Sequence, residues 1–289
     1  MPKFAYHNCN KITDADIILV GVPDESGSYA ERRGTKKGPD AIREASHERL
    51  CFKRKGKTFC VESENGPFNL KLFDAGNISK PKIQSFLESI SKEQMTILLG
   101  GDHSNTYLAV KALSKKYKEL AIIHLDAHPD LISSTKYDFG SVINDILSLK
   151  EINHKKAIQI GIRAIEPEEE INLKREKINF FTALDVYEMG VQKVFSSVKK
   201  IIGDTPIYLS IDLDVLDPAF APGVDTPAPF GLTGNEYLSL VKKIASLNLI
   251  GFDLMEMNPK YDVQQLTAQI AAQSIIEILG TALPAKRKS

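Results

Sequence analysis

The chain has 289 residues, with 37 Lys and Arg against 37 Asp and Glu, a formal net charge of zero. An apolar share of 43% with 26% charged residues supports a buried core and excludes a disordered chain. Balanced charge argues against a nucleic-acid binder, the longest apolar runs fall short of the ~20 residues of a membrane helix, and no signal-peptide pattern opens the chain. In chain order, short Ile/Val/Leu-rich runs predict strands at 17–22, 70–73 and 96–99, followed by a helix over 104–117. A strand at 121–125, a helix at 140–149 and strands at 157–162 and 178–181 come next. A helix at 190–202, a strand at 207–213, a helix at 234–246 and a strand at 249–254 lead to a last helix at 262–279. That helix carries Leu266, Ile270 and Ile275 on one face, with Ile278 and Leu279 close by. Strands apolar on successive residues are those of a sheet covered by helices on both faces. With no repeat and no linker-like stretch, the expectation is one α/β domain over 1–289.

Three cysteines, Cys9, Cys51 and Cys60, are odd in number and form no C-x-x-C pair, so neither a disulfide framework nor a cysteine zinc site is expected. They read as incidental thiols of a soluble, cytoplasmic protein. Residues 31–57 hold ten Lys/Arg against four Asp/Glu, and Lys286, Arg287 and Lys288 form a short basic tail. Without an aromatic stacking surface or a nucleic-acid motif, both read as solvated surface.

Four segments place ligating groups where strands end, which is where sites gather in parallel α/β sheets. In residues 98–104 a strand runs into Gly100-Gly101 and then presents Asp102 and His103. In residues 122–130, Asp126, His128 and Asp130 recur at every second position, so an extended backbone would point all three to one side. Asp212 and Asp214 repeat that spacing, and another apolar strand, in 251–257, ends with the acids Asp253 and Glu256. Side-by-side carboxylates resist burial unless a cation compensates them. His103, Asp126, His128, Asp130, Asp212 and Asp214 therefore read as ligands of two divalent metals. Oxygen ligands with two imidazoles suit Mn²⁺ better than a structural zinc, with Fe²⁺, Co²⁺ and Zn²⁺ as alternatives. A water shared by two metals loses its proton near neutral pH and becomes a nucleophile, which predicts a two-metal hydrolase. His124 lies inside its strand and reads as a core histidine or a support to the ligands; His7, His47 and His154 read as surface.

Gly-Gly-Asp-His-Ser (100–104), Asp-Ala-His-Pro-Asp (126–130) and the run 210–223 resemble the three signatures of the ureohydrolases, the family of arginases, agmatinases and related amidinohydrolases. The resemblance continues through Gly21-Val22-Pro23, residues 38–43, Gly161-Ile162-Arg163 and residues 251–256, and so spans most of the chain in order. It implies a three-layer α/β/α fold with a mostly parallel central sheet and a binuclear Mn²⁺ centre on the same six residues. It implies further that a metal-bridging hydroxide attacks a guanidinium carbon to release urea and an amine. In that scheme Asp130 orients the hydroxide, Glu256 holds the guanidinium, Thr226 supports the substrate nitrogens and Glu166 lies near the substrate amine. Homo-oligomers, trimers or hexamers, are usual in the family. Val215, and Tyr137 where arginases carry an asparagine, favour agmatinases over arginases, so the implied reaction is agmatine to putrescine and urea.

Two departures stand out. The family carries a proton-shuttling histidine where this chain has Phe139, and Asp225 replaces a glycine. The nearest replacements along the chain for the lost proton donor are Asp138 and Tyr137. Three other readings stand beside the first: a metal-binding relative with weak or no hydrolase activity, a ureohydrolase acting on another guanidino compound, and a two-metal phosphoesterase. The last lacks the Gly-Asn-His segment it usually needs.

Overall fold

The computed structural model describes residues 2–48, 51–54, 57–60 and 70–286, with the backbone alone for 51–54, 57–60 and 283–286. Among the described residues are ten strands: β1 Ile17–Gly21, β2 Cys51–Arg54, β3 Lys57–Cys60, β4 Leu72–Asn77, β5 Met95–Leu99, β6 Ala121–Leu125, β7 Ile158–Ile162, β8 Asn179–Thr182, β9 Ile207–Ile211 and β10 Leu249–Leu254. The helices are α1 Gly38–Ala45, α2 Lys80–Ser89, α3 Asn105–Ser114, α4 Val142–Leu147, α5 Pro167–Glu176, α6 Ala183–Met189, α7 Val191–Ile202, α8 Gly234–Ala245 and α9 Leu266–Lys286. Eight strands form one sheet in the order β4-β1-β5-β10-β9-β6-β7-β8, every neighbouring pair parallel. These are the eight strands expected from the sequence. The hairpin β2-β3 stands apart as a two-stranded antiparallel sheet.

Alternation within the apolar runs feeds two cores. Ile17 and Leu19 of β1 enter one cluster, with Ile42 of α1, Val194 and Val198 of α7, Leu240 of α8 and Ile275 of α9. Ile18 and Val20 enter the other, with Ile83 of α2, Val110 of α3, Ile143 of α4 and Leu173 of α5. The sheet is therefore the middle of three layers, α1 and α7–α9 covering one face and α2–α5 the other. Helix starts follow local chemistry: Thr182 with Asp185 and Thr233 with Glu236 close reciprocal capping boxes that open α6 and α8. No helix among the described residues is long and apolar enough to cross a membrane.

Several boundaries moved. The strand expected at 70–73 begins at Leu72 and continues to Asn77, carrying the wholly buried Asp74 because Arg43 neutralises it. The strand expected to reach 213 stops at Ile211; Asp212 instead opens a short 3-10 turn, its side chain accepting the Asp214 N–H at 2.8 Å. The last helix starts at Leu266, four residues late, because Gln264 and Gln265 adopt left-handed φ of 49° and 60° and Asp262 caps Thr267 and Ala268. Helices α1, α2, α5 and α6 were not expected: α2 and α5 have proline in the first turn, and buried Arg43 interrupts the apolar face of α1. Cys9 is a buried free thiol. Arg287 and Lys288 lie outside the described residues, as do the side chains of Cys51, Cys60 and Lys286 and those of the basic stretch beyond residue 48.

Candidate metal centre

Strands β5, β10, β9 and β6 are adjacent at the centre of the sheet, and each delivers polar residues just past its carboxyl end. After β5 the chain turns at Gly101, where a Cβ would collide with the carbonyl oxygen of Asp24, and so brings His103 to the start of α3. His103 Nδ1 lies 3.1 Å from Asp126 Oδ2, 3.3 Å from Asp130 Oδ2 and 3.1 Å from Asp212 Oδ2. Asp126 is shared by two groupings. Its Oδ2 faces His103 and His124, while its Oδ1 lies 3.4 Å from His128 Nδ1, which stands 3.0 Å from Asp214 Oδ2. All six residues expected as ligands therefore converge, four of them aspartates. The extended spacing invoked for 126–130 does not hold: β6 ends at Leu125 and Asp130 takes a left-handed φ of 53°. A turn, and not a strand face, gathers the three side chains.

Hydrogen bonds behind the cluster set which imidazole nitrogen carries a proton. His103 Nε2 donates to Ser210 Oγ at 2.8 Å, and that hydroxyl donates to Asp253 Oδ1 at 2.8 Å. Asp253 is wholly buried and also accepts from Ile211 N at 3.1 Å, Thr106 Oγ1 at 2.9 Å and Tyr208 Oη at 2.9 Å. With Nε2 committed as a donor, Nδ1 of neutral His103 presents a lone pair to three carboxylate oxygens. His124 has the opposite tautomer. Its Nδ1 accepts from the Gln159 amide at 3.2 Å, so its Nε2–H side lies 2.9 Å from Asp126 Oδ2. His124 thus positions Asp126, the supporting alternative of the sequence reading. His47 is exposed, His7 and His154 are half-buried, and none of the three joins either grouping.

The electrostatics call for positive charge. Burial raises the Asp130 and Asp212 carboxyls well above the ordinary range, and the neighbouring Asp126 and Asp214 charges add to it. Burial opposes ionisation of Asp126 too, but His124, His103 and His128 outweigh it and hold that carboxyl well below its usual value. Burial would lower the His103 imidazole, yet Asp126 and Asp212 pull it well above its ordinary value. Likewise His128 is pushed up to about 12 against the effect of burial, by Asp214 and Asp126. His103 Nδ1 and Asp126 Oδ2 are buried atoms that lack a hydrogen-bond partner among the described residues. A lone pair and four acids with such orphaned atoms fit divalent cations, which accept all of these donors at once. His103, His124, Asp126 and Asp130 form one grouping that could hold an ion, and Asp126, His128 and Asp214 another.

Beside the cluster opens a cavity of about 120 Å³ lined by Tyr29, His128, Asp130, Ile132, Phe139, Gly140, Glu166, Glu169 and Thr226. Glu166 and Thr226, the substrate contacts implied by the resemblance, stand in this wall; the Thr226 hydroxyl donates to Asp214 Oδ2 at 3.2 Å. Glu256 is not among the lining residues. It is wholly buried with a left-handed φ of 63°, and its Oε1 accepts the His103 N–H at 2.7 Å while Oε2 has no partner among the described residues. Burial and the Asp212 charge hold its carboxyl well above the ordinary range. Phe139 stands in the wall, its ring 4.4 Å from that of Tyr29. Tyr137 stacks instead on Tyr107 at 4.8 Å, and neither Tyr137 nor Asp138 lines the cavity. Asp225 is buried, with Oδ1 accepting from Asn258 at 2.5 Å, and burial pushes its carboxyl up to about 6.

The Arginase family model matches residues 15–280. The chain belongs to the arginase family. Proclavaminate amidinohydrolase of Streptomyces clavuligerus is 35% identical over 276 residues, covering 91% of this chain and 87% of that protein. An agmatinase of Salmonella paratyphi B is 34% identical over 278 residues, covering 92% and 87%. A crystal structure described as a hypothetical agmatinase from Burkholderia thailandensis superposes with a TM-score of 0.88 at 29% identity, covering all of this chain and 92% of the other. This arginase-family chain has the family's α/β fold and is a ureohydrolase of C–N bonds. Sequence reasoning missed Tyr29 and Glu169 in the cavity wall. Tyr29 lies in no motif; Glu169 was findable from the Glu-Pro-x-Glu pattern of a helix start, where its Oε2 accepts the Glu166 N–H at 2.9 Å.

Proposed function

We propose that the protein hydrolyses a guanidino amine, agmatine before others, to urea and putrescine with two Mn²⁺ per chain. One observation carries the choice of substrate. Among the described residues, the cavity beside the His/Asp cluster is lined by the acids Asp130, Glu166 and Glu169 and by no lysine or arginine. A substrate carboxylate would meet like charge there, whereas a terminal ammonium would be attracted. His103, Asp126, His128, Asp130, Asp212 and Asp214 would hold the metal pair, which supplies compensating charge and an activated water. The remaining work belongs to the chain's own groups. Asp130, between the cluster and the cavity, orients the attacking water. Glu256, buried behind the cavity with its Oε2 unpartnered among the described residues, would meet the guanidinium through that one oxygen. Thr226 supports the substrate nitrogens while holding Asp214, and Glu166 at the exposed end of the cavity takes the ammonium. His124 and the Ser210–Asp253 pair fix the orientation of Asp126 and His103. We place this activity in one catalytic unit spanning the chain, in a cytoplasmic trimer or hexamer.

Protein loaded with Mn²⁺ is expected to bind about two ions per chain and to release urea from agmatine faster than from arginine or guanidinobutyrate. Elemental analysis and a urea assay across the three compounds check both. Faster turnover of a guanidino acid would move the proposal to that substrate. Metal binding without urea from any guanidino compound would support the second reading, a metal-binding relative without hydrolase activity, which Phe139 in the cavity wall favours.

A further inference from the structure

When the C–N bond of the guanidino carbon breaks, its electron pair stays on the departing nitrogen, which must gain a proton to leave as an amine. Phe139 cannot supply one, so the other cavity groups decide how the proton arrives. The Thr226 hydroxyl is spent on Asp214. Both oxygens of Glu169 are acceptors, Oε1 from Leu131 N at 3.2 Å and Oε2 from Glu166 N at 2.9 Å. His128 and Asp130 belong to the metal cluster, and Glu166 takes the substrate tail. Ile132 and Gly140 offer no side-chain proton. The Tyr29 hydroxyl remains, and it makes no hydrogen bond to a described residue.

Its placement is built into the wall. The Tyr29 ring rests on Phe139 at 4.4 Å, and a Cβ at Gly140 would collide with the Tyr29 hydroxyl oxygen. The bare glycine after Phe139 therefore makes room for that oxygen. The segment carrying Tyr29 is anchored just before it: Gly27 N and Ser28 N donate to Asp102 Oδ2 at 2.7 and 3.0 Å, and Phe139 N donates to Gly27 O at 3.2 Å. Burial, with the charges of Asp138 and Asp130, pushes the phenol up to about 12, so it carries its proton at neutral pH. With 58% of the residue exposed, a phenolate can be reprotonated by water.

We infer that Tyr29 is a further catalytic residue, its phenol giving the proton to the departing amine. The inference rests on the amidinohydrolase reading above. In the step, the C–N bond breaks with its electron pair on nitrogen, the Tyr29 O–H proton forms the new N–H bond, and the phenolate recovers a proton from bulk water.

The test is steady-state urea release by Mn²⁺-loaded wild type, Tyr29→Phe, Phe139→His and the double variant, on guanidino substrates whose leaving amines differ in basicity. Tyr29→Phe keeps the ring contact and is expected to lose about 100-fold in kcat, with KM and metal content unchanged. The loss grows with the basicity of the leaving amine, and Phe139→His recovers most of it in the double variant, because an imidazole there would occupy the same wall. A Tyr29→Phe kcat within about threefold of wild type on every substrate, or a loss that appears in KM alone, overturns the inference and leaves the hydrolase reading standing. Wild type that releases no urea from any guanidino compound overturns both.

Discussion

Asp126→Asn is expected to abolish metal binding and urea release together, with kcat falling by on the order of 10³ or more. The reason is position. Asp126 belongs to both groupings of potential ligands, its Oδ2 toward His103 and His124 and its Oδ1 toward His128. Changing one oxygen to an amide nitrogen removes a negative charge from the point the two share, and it turns an acceptor toward His124 into a donor or a weaker acceptor. Elemental analysis of protein dialysed against Mn²⁺, alongside the urea assay, reads the effect; far-ultraviolet circular dichroism establishes that the fold persists. Full metal content with normal turnover would show that the metal pair is held elsewhere. His124→Ala should be milder, about 10- to 100-fold, because it removes a support and no ligand.

Asp74→Asn is expected to destabilise the fold by about 3–5 kcal/mol, a fall in Tm of roughly 6–15 °C for a chain of this size. Arg43 and Asp74 are both wholly buried, joined by two bonds of 2.9 Å from Nε and one terminal nitrogen to the two carboxylate oxygens. Arg43 also donates to Asn77 Oδ1 at 2.7 Å and Gly76 O at 3.1 Å, and Asp74 accepts from Phe4 N at 2.8 Å. Neutralising the acid leaves a guanidinium charge in the core without its counter-ion, which is why the cost exceeds that of a surface pair. The same pair gives an acid limb. Burial alone would raise the Asp74 carboxyl, but the bonds from Arg43 hold it below its ordinary value of 3.8. A depressed folded-state value means the stabilisation is complete above that ordinary value and is lost as pH falls through the folded value. Thermal melts from pH 7 to pH 2 should show this loss in wild type and a shallower one in Asp74→Asn. Equal melting temperatures of the two proteins at pH 7 would contradict the argument.

The acidic wall and Phe139 pull the functional reading in different directions, and chemistry reconciles them. In the proposed function the acids at 130, 166 and 169 would select a cationic substrate, whereas a phenylalanine at 139 removes one proton donor and leaves the six converging residues in place. The inferred role of Tyr29, which rests against that phenylalanine, would restore the step. On that proposal, substrate choice and proton delivery are divided between segments distant in sequence that meet at the cavity.

The amino-acid sequence determined the sheet and pointed to the six residues that converge at the candidate metal centre. Eight apolar runs became the eight parallel strands, because a strand covered on both faces must be apolar at successive positions, and that signal is local. The six metal-binding candidates were legible for a related reason: carboxylates crowded at strand ends repel one another, and a divalent cation relieves that conflict. Helices α1, α2, α5 and α6 were not legible, since buried Arg43, early prolines and polar faces break the periodicity from which helices are read. Only the tertiary structure decided the tautomers of His103 and His124, which depend on Ser210 and Gln159 in neighbouring strands. It also replaced the expected extended geometry at 126–130 with a turn at Asp130. Above all it brought Tyr29 against Phe139 and Gly140, more than a hundred residues away. No local pattern encodes that meeting, because it follows from strand order: β1 and β6 reach the same end of one sheet, and the loops beyond them share the cavity.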